Sequence, residues 1–254
     1  DAAAAAARAL LRAAAGAGAC AAAGLGCPRP WAPGERGAAR CEEALLGAPE
    51  GAEEPTAGPA PSEGAELLVG GFPFQRQRVL RAEDGGEQRL EVAGTAVLRM
   101  ARITLAQAAL YLPPLRGSNE EGLDARVTKS LELRYAQAVP ADAFRYLTSH
   151  YVSANGLLSP AVEPFVEAFN AFYVGMSPGH RYRLDYCGRA GTLTLQAWRG
   201  DAQAEAPGGS GWVRLGRLHC GARAAEAILS VWFGPVPFSP GMKADLLRGR
   251  PAAG

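Results

Sequence analysis

The 254-residue chain carries 26 basic and 25 acidic side chains, a net charge of +1, which excludes a whole-chain field of the kind that draws proteins to nucleic acid or anionic membranes. Its length suffices for one sizeable core. Five cysteines are too scattered for a disulfide framework, no Cys/His cluster has metal-ligand spacing, and no apolar run reaches the roughly 18 residues of a membrane span.

Residues 1–41 form an alanine-rich leader with Arg8 and Arg12, and residues 2–27 within it contain no acid. Two readings stand for it: the remnant of a plastid or secretory targeting segment, or a compositional tract with no role of its own. Residues 42–65 are rich in glutamate and proline, a composition that cannot offset its ordering entropy by burial, and they read as a disordered linker. The folded domain is expected over residues 66–250.

Leu67 to Leu80 reads as a first strand region, Gly85-Gly86 as a turn, and Gln88 to Val92 as the start of a strand leading to Arg99. Ile103 to Leu112 is almost wholly apolar and stops at Pro113-Pro114, the pattern of a central, buried strand. Arg99, set among Val97, Leu98 and Met100, is costly to bury without an anionic partner. It is therefore either paired inside the fold, for example with Glu132, or placed for a ligand.

After a polar loop, Val127 to Tyr135 alternates, with Val127, Leu131, Leu133 and Tyr135 on one face and Thr128, Ser130, Glu132 and Arg134 on a wet one. Pro140 opens a helix with Phe144, Leu147 and Tyr151 inward, ended by Asn155-Gly156. Ser159-Pro160 starts another, whose stripe of Val162, Phe165, Val166, Phe169, Phe172 and Tyr173 reads as core. His180 to Tyr186 and Thr192 to Trp198 form a hairpin whose Arg181, Arg183 and Asp185 side reads as solvated. Trp212 to Leu218 is a strand, Ala222 to Trp232 a helix, and Ser239-Pro240 caps a short last helix. Strands, helices, strands and helices in that order give an α+β domain, with helices laid on an antiparallel sheet.

Chemistry-bearing motifs are sparse. His150, His180 and His219 are isolated, and the glycine-rich stretch Gly208 to Gly211 runs into Trp212 and misses a nucleophile elbow. Neither GxGxxG after a strand nor a P-loop occurs, so no cofactor is expected. Cys187 and Cys220 read as ordinary thiols. The Arg/Tyr interleaving at 181–189 reads as a hairpin surface, not a nucleic-acid platform.

The segments GTAVLRM leading to AALYLP, KSLELRY, PADAF, RYRLDYCGRAGTLTL and SVWFGPVPFSPGMKADLLRGR, in that order over Phe72 to Arg250, resemble the chalcone isomerase superfamily. The resemblance is to its chalcone isomerase-like branch, bacterial-type and fatty-acid-binding. It implies an open-faced β-sandwich, a large antiparallel sheet covered by helices, with a cleft for an apolar ligand between them. In the isomerases an arginine holds a phenoxide and hydroxyl donors stabilise the enolate during ring closure. Arg99 matches that arginine. The hydroxyl and amide positions fall on Ala106, Phe144, Tyr151 and Val231 or Ser230, so the set that intramolecular lyase chemistry needs is replaced. The fatty-acid-binding members imply instead that Arg99 with Tyr111 takes a carboxylate, with Phe144 and Tyr151 lining the cleft. The expected partner is thus a small apolar carboxylate or phenolic ligand; the third reading is an accessory protein with a filled cleft.

Overall fold

The computed structural model describes residues 66–81, 86–100, 103–114, 123–124, 126–198, 200 and 211–248. The readings of the leader, the linker, Cys20, Cys27, Cys41, Gly85 and the Gly208-Gly209-Ser210 stretch lie outside these residues. The first strand region is three short strands, β1 (Glu66–Val69), β2 (Phe72–Gln75) and β3 (Gln77–Arg81). Gly70 and Gly71, both at positive φ, make the tight turn that pairs β1 with β2.

β4 (Glu87–Met100), β5 (Ile103–Leu112), β6 (Lys129–Tyr135), β7 (Arg181–Cys187), β8 (Thr192–Trp198) and β9 (Trp212–His219) follow. With β3 they build a seven-stranded sheet in sequence order, every neighbour antiparallel. Sequential antiparallel pairing is the outcome expected when short connections join strands. β5 is interior, but β6 occupies the middle of the order. A register shift between Leu98 and Arg99 in the β4–β5 pair brings both Leu105 and Ala106 against the same core, the two-against-one geometry of a bulge.

Four helices are described: α1 (Ala141–Ala154), α2 (Glu163–Ala171), α3 (Gly221–Phe233) and α4 (Pro240–Leu247). Phe144, Leu147 and Tyr151 of α1 are buried as their spacing predicts. α2 starts three residues after Pro160, because residues 160–162 make a separate turn whose amides at Val162 and Glu163 donate to Ser159 O at 2.8 Å. Its stripe is core: Val162, Val166, Phe169 and Tyr173 are buried, and a fully buried phenylalanine such as Phe169 contributes about 2–3 kcal/mol. The Ser239 hydroxyl accepts from Met242 N at 3.2 Å and caps α4.

The helices cover one face of the sheet, where Leu110, Leu131, Leu184, Leu193 and Ile228 join one large apolar cluster. α4 lies so close on β4 that a Cβ at Gly94 would collide with the Leu246 carbonyl. The opposite face carries a smaller apolar cluster of Val69, Phe74, Leu90, Val92, Ala109 and Tyr111, beneath the β1–β2 hairpin.

The expected wet face of β6 and β7 is buried. Thr128, Ser130, Glu132 and Asp185 are each at most 7% exposed, and the Arg183 side chain is 15% exposed. The cause is the curl of the sheet. Arg78 on edge strand β3 donates to Ser130 Oγ at 2.7 Å and to Glu132 on β6. Those strands are three positions apart, roughly 14 Å in a flat sheet at about 4.8 Å per strand, so the contact requires the sheet to close over this face.

Candidate functional site

Between the sheet and the helices lie two cavities, one on each side of α3. The first is walled by Leu98, Leu105 and Ala106 from β4 and β5, Leu133 and Tyr135 from β6, Phe144, Leu147 and Thr148 from α1, Tyr173, Val231 and Trp232, with Phe238 and Met242 closing it. Its free volume is about 40 Å³, enough for a few water molecules. Phe144 is the organising ring: its centroid lies 5.4 Å from Tyr135, 5.3 Å from Tyr173 and 5.1 Å from Tyr182, distances typical of stabilising aromatic pairs.

The polar groups of this cavity face one another. Thr148 Oγ1 and the Tyr173 hydroxyl are 2.9 Å apart. Burial raises the Tyr173 phenol above its ordinary range against the lowering effect of the Thr148 hydrogen bond, and burial raises Tyr135 well above it too. Both phenols are therefore neutral at physiological pH, not bases.

Three of the residues singled out by the sequence resemblance meet here. Ala106, Phe144 and Val231 all line the first cavity and are all apolar. Tyr151 sits just behind, 2% exposed, its ring 5.8 Å from Phe238 and its hydroxyl without a hydrogen-bond partner among the described residues. Ser230, the alternative to Val231, lines the other cavity and donates to Ala227 O at 2.6 Å.

Arg99 follows Leu98 at the end of β4, opposite Thr104, and is exposed. Tyr111 is not beside it. Its ring packs on the opposite face of the sheet with Phe74 and Leu90, under the Arg78 guanidinium at 4.1 Å. Burial, partly offset by Arg78, pushes its phenol up to about 12. The structure thus brings Phe144 and Tyr151 together near one cavity and separates Tyr111 from them.

Glu132, the expected internal alternative for Arg99, is held by Arg78, by Arg181 at 3.2 Å and by Arg183 at 3.7 Å. Burial alone would raise its carboxyl, but the three guanidiniums hold it below the ordinary value. Asp185 beside it goes the other way, raised by burial more than its arginine neighbours lower it. Gln196 Nε2 donates to Asp185 at 2.8 Å, and Arg183 stacks at 3.7 Å on Trp212. These groups bind one another across the sheet, a buried network that fixes its curl.

The second cavity, about 170 Å³, is larger. Leu123, Leu157, Leu229 and Phe233 give it apolar walls, Tyr186 an aromatic one, and Lys129 a cation. Lys129 is 2% exposed. Sequence reading missed it and Arg78. The signal for Lys129 was present, since it falls in phase with Val127, Leu131 and Leu133 on the apolar side of β6. Arg78 had none, because its partners are more than 50 residues away in sequence.

Among the described residues no group of His, Cys, Asp and Glu could hold a metal ion, and no helix is long and apolar enough to cross a membrane. Cys187 and Cys220 are free thiols. No family profile matches the chain. A search of curated proteins finds no match either. Among solved structures, a fatty-acid binding protein of Arabidopsis thaliana matches over 72% of this chain and 96% of its own, at 10% identity and a TM-score of 0.49.

Proposed function

We propose that the protein is a non-catalytic binder of a fatty acid or similar apolar carboxylate, taken up between the sheet and the helices. The observation that carries this reading is the wall of the first cavity. Ala106, Phe144 and Val231, on which the sequence resemblance sets polar positions of the isomerases, are apolar, and the hydroxyls of Thr148 and Tyr173 in the same wall bind each other. Ring closure needs donors aimed at a developing oxyanion; an acyl chain needs only apolar surface, at about 25 cal/mol per Å² buried.

The present volume of about 40 Å³ is far below the roughly 300 Å³ of a typical ligand site, so uptake requires Met242, Trp232 and Phe238 to swing aside. Arg99, exposed at the end of β4, is the cation assigned to the carboxylate, through a charge-assisted contact; because its side chain alternates away from the lining Leu98, it has to reach round the end of the strand.

Native mass spectrometry of the full chain, purified without added ligand and again after incubation with palmitate, tests the proposal. The expected result is an adduct of fatty-acid mass that Val231→Trp, which fills the cleft, removes and Arg99→Ala weakens. A clean apo mass in both preparations would sink the carrier reading. Conversion of a chalcone to a flavanone above the buffer rate would replace it with the lyase.

A further inference from the structure

From the second cavity we infer a separate binding site for a short apolar monocarboxylate, held head-in on the Lys129 ammonium. The two cavities share no lining residue: α3 turns Val231 and Trp232 to the first and Leu229, Ser230 and Phe233 to the second. The inference therefore stands apart from the proposed function, and either can fail without the other.

The site is built around its cation. Lys129 Nζ donates to Leu123 O at 3.1 Å and Asp124 O at 2.6 Å, and lies 5.3 Å from the centroid of the Tyr186 ring. An ammonium has three donors, and these two carbonyls are its hydrogen-bond acceptors among the described residues. Among the described residues the third donor meets no acceptor, and Lys129 lines the cavity. Buried cations need an anionic counterpart or full hydrogen bonding, and among the described residues neither is complete.

The charged neighbours among the described residues leave room for that counterpart. The Asp124 side chain accepts from Arg126 N at 2.7 Å, and Glu226 is exposed to solvent at the mouth, where its field is screened. Burial lowers Lys129 to about 8, with Asp124 pulling the other way, so the group is still charged at neutral pH and gains most from a buried anion. Size sets the ligand. About 170 Å³ is close to the roughly 150 Å³ of a cavity that takes benzene, so a six-carbon acid fits and a long acyl chain does not.

Calorimetric titration of the full chain with hexanoate, and with hexanol as its neutral isostere, tests the site. The wild type is expected to bind hexanoate in a single site and hexanol about tenfold or more weakly, the usual worth of a charge-assisted hydrogen bond. Lys129→Met should abolish the preference for the acid, and Leu157→Trp, which fills the cavity while leaving the lysine, should remove binding of both. Lys129 should also take up protons on binding at pH 9, seen as a heat that depends on buffer ionisation and is absent from Lys129→Met. No hexanoate binding to the wild type, or binding unchanged in Lys129→Met, overturns the inference. Loss of hexanoate binding in Val231→Trp with retention in Leu157→Trp would assign the ligand to the first cavity and overturn it equally.

Discussion

Replacing Glu132 by glutamine removes one negative charge and almost no volume from the buried face of the sheet. In the wild type that carboxylate is 2% exposed and is shared by Arg78, Arg181 and Arg183. After the substitution Asp185 is the remaining acid of the network against three guanidiniums, one of them, Arg78, 7% exposed. Leaving a buried charge without its partner costs about 3–5 kcal/mol, a large share of the roughly 5–15 kcal/mol that holds a typical domain together. Urea denaturation at pH 7 should therefore show Glu132→Gln less stable by about that amount. Arg78→Met should also destabilise, and the double variant should lose less than the two singles combined, because the two residues act as one unit. The pH dependence has a definite sign. Glu132's folded value is depressed below 4.5, so its contribution is fully present above pH 4.5 and is lost as pH falls through the folded value. The gap between wild type and Glu132→Gln should be constant from pH 7 to about 5 and close below it. A loss under about 1 kcal/mol at pH 7, or strict additivity in the cycle, would refute the view that this network holds the curl.

Gly94→Ala places a methyl against the Leu246 carbonyl and should cost about 1–3 kcal/mol as α4 is pushed from β4, measured by thermal melting; an unchanged Tm would mean that α4 is not seated on β4. Asn155 Nδ2 donates to Tyr151 O at 2.7 Å and Val236 O at 2.9 Å, and its Oδ1 accepts from Val236 N at 2.7 Å. Asn155→Ala should therefore cost about 1–3 kcal/mol and speed amide exchange at Val236 above all. Because the Lys129 folded value is lowered to about 8 from 10.5, the unfolded chain binds more protons between those values, and stability from this group rises with pH there. Urea melts at pH 7 and pH 9.5 should show the wild type improving relative to Lys129→Met; a gap that does not move would place the lysine in water.

The order and type of the elements were fixed by local chemistry. The apolar run of β5, the alternation of β6 and the caps at Asn155-Gly156 and Ser239-Pro240 reappear in the structure, because period, proline, glycine and capping hydroxyls act within a few residues. The same alternation shows which residues of β6 and β7 share a face but carries no information on what covers it. Glu132 and Asp185 read as solvated because their cover is Arg78 on an edge strand, 54 residues from Glu132, which arrives only when seven strands pair and curl. Arg99 and Tyr111 pair well as residue types, yet the β4–β5 register sets Arg99 opposite Thr104 and Tyr111 opposite Val92, seven residues along the strands from each other. Whether Lys129 meets water or a cavity is likewise settled by α3, which the chain lays over it more than 90 residues later.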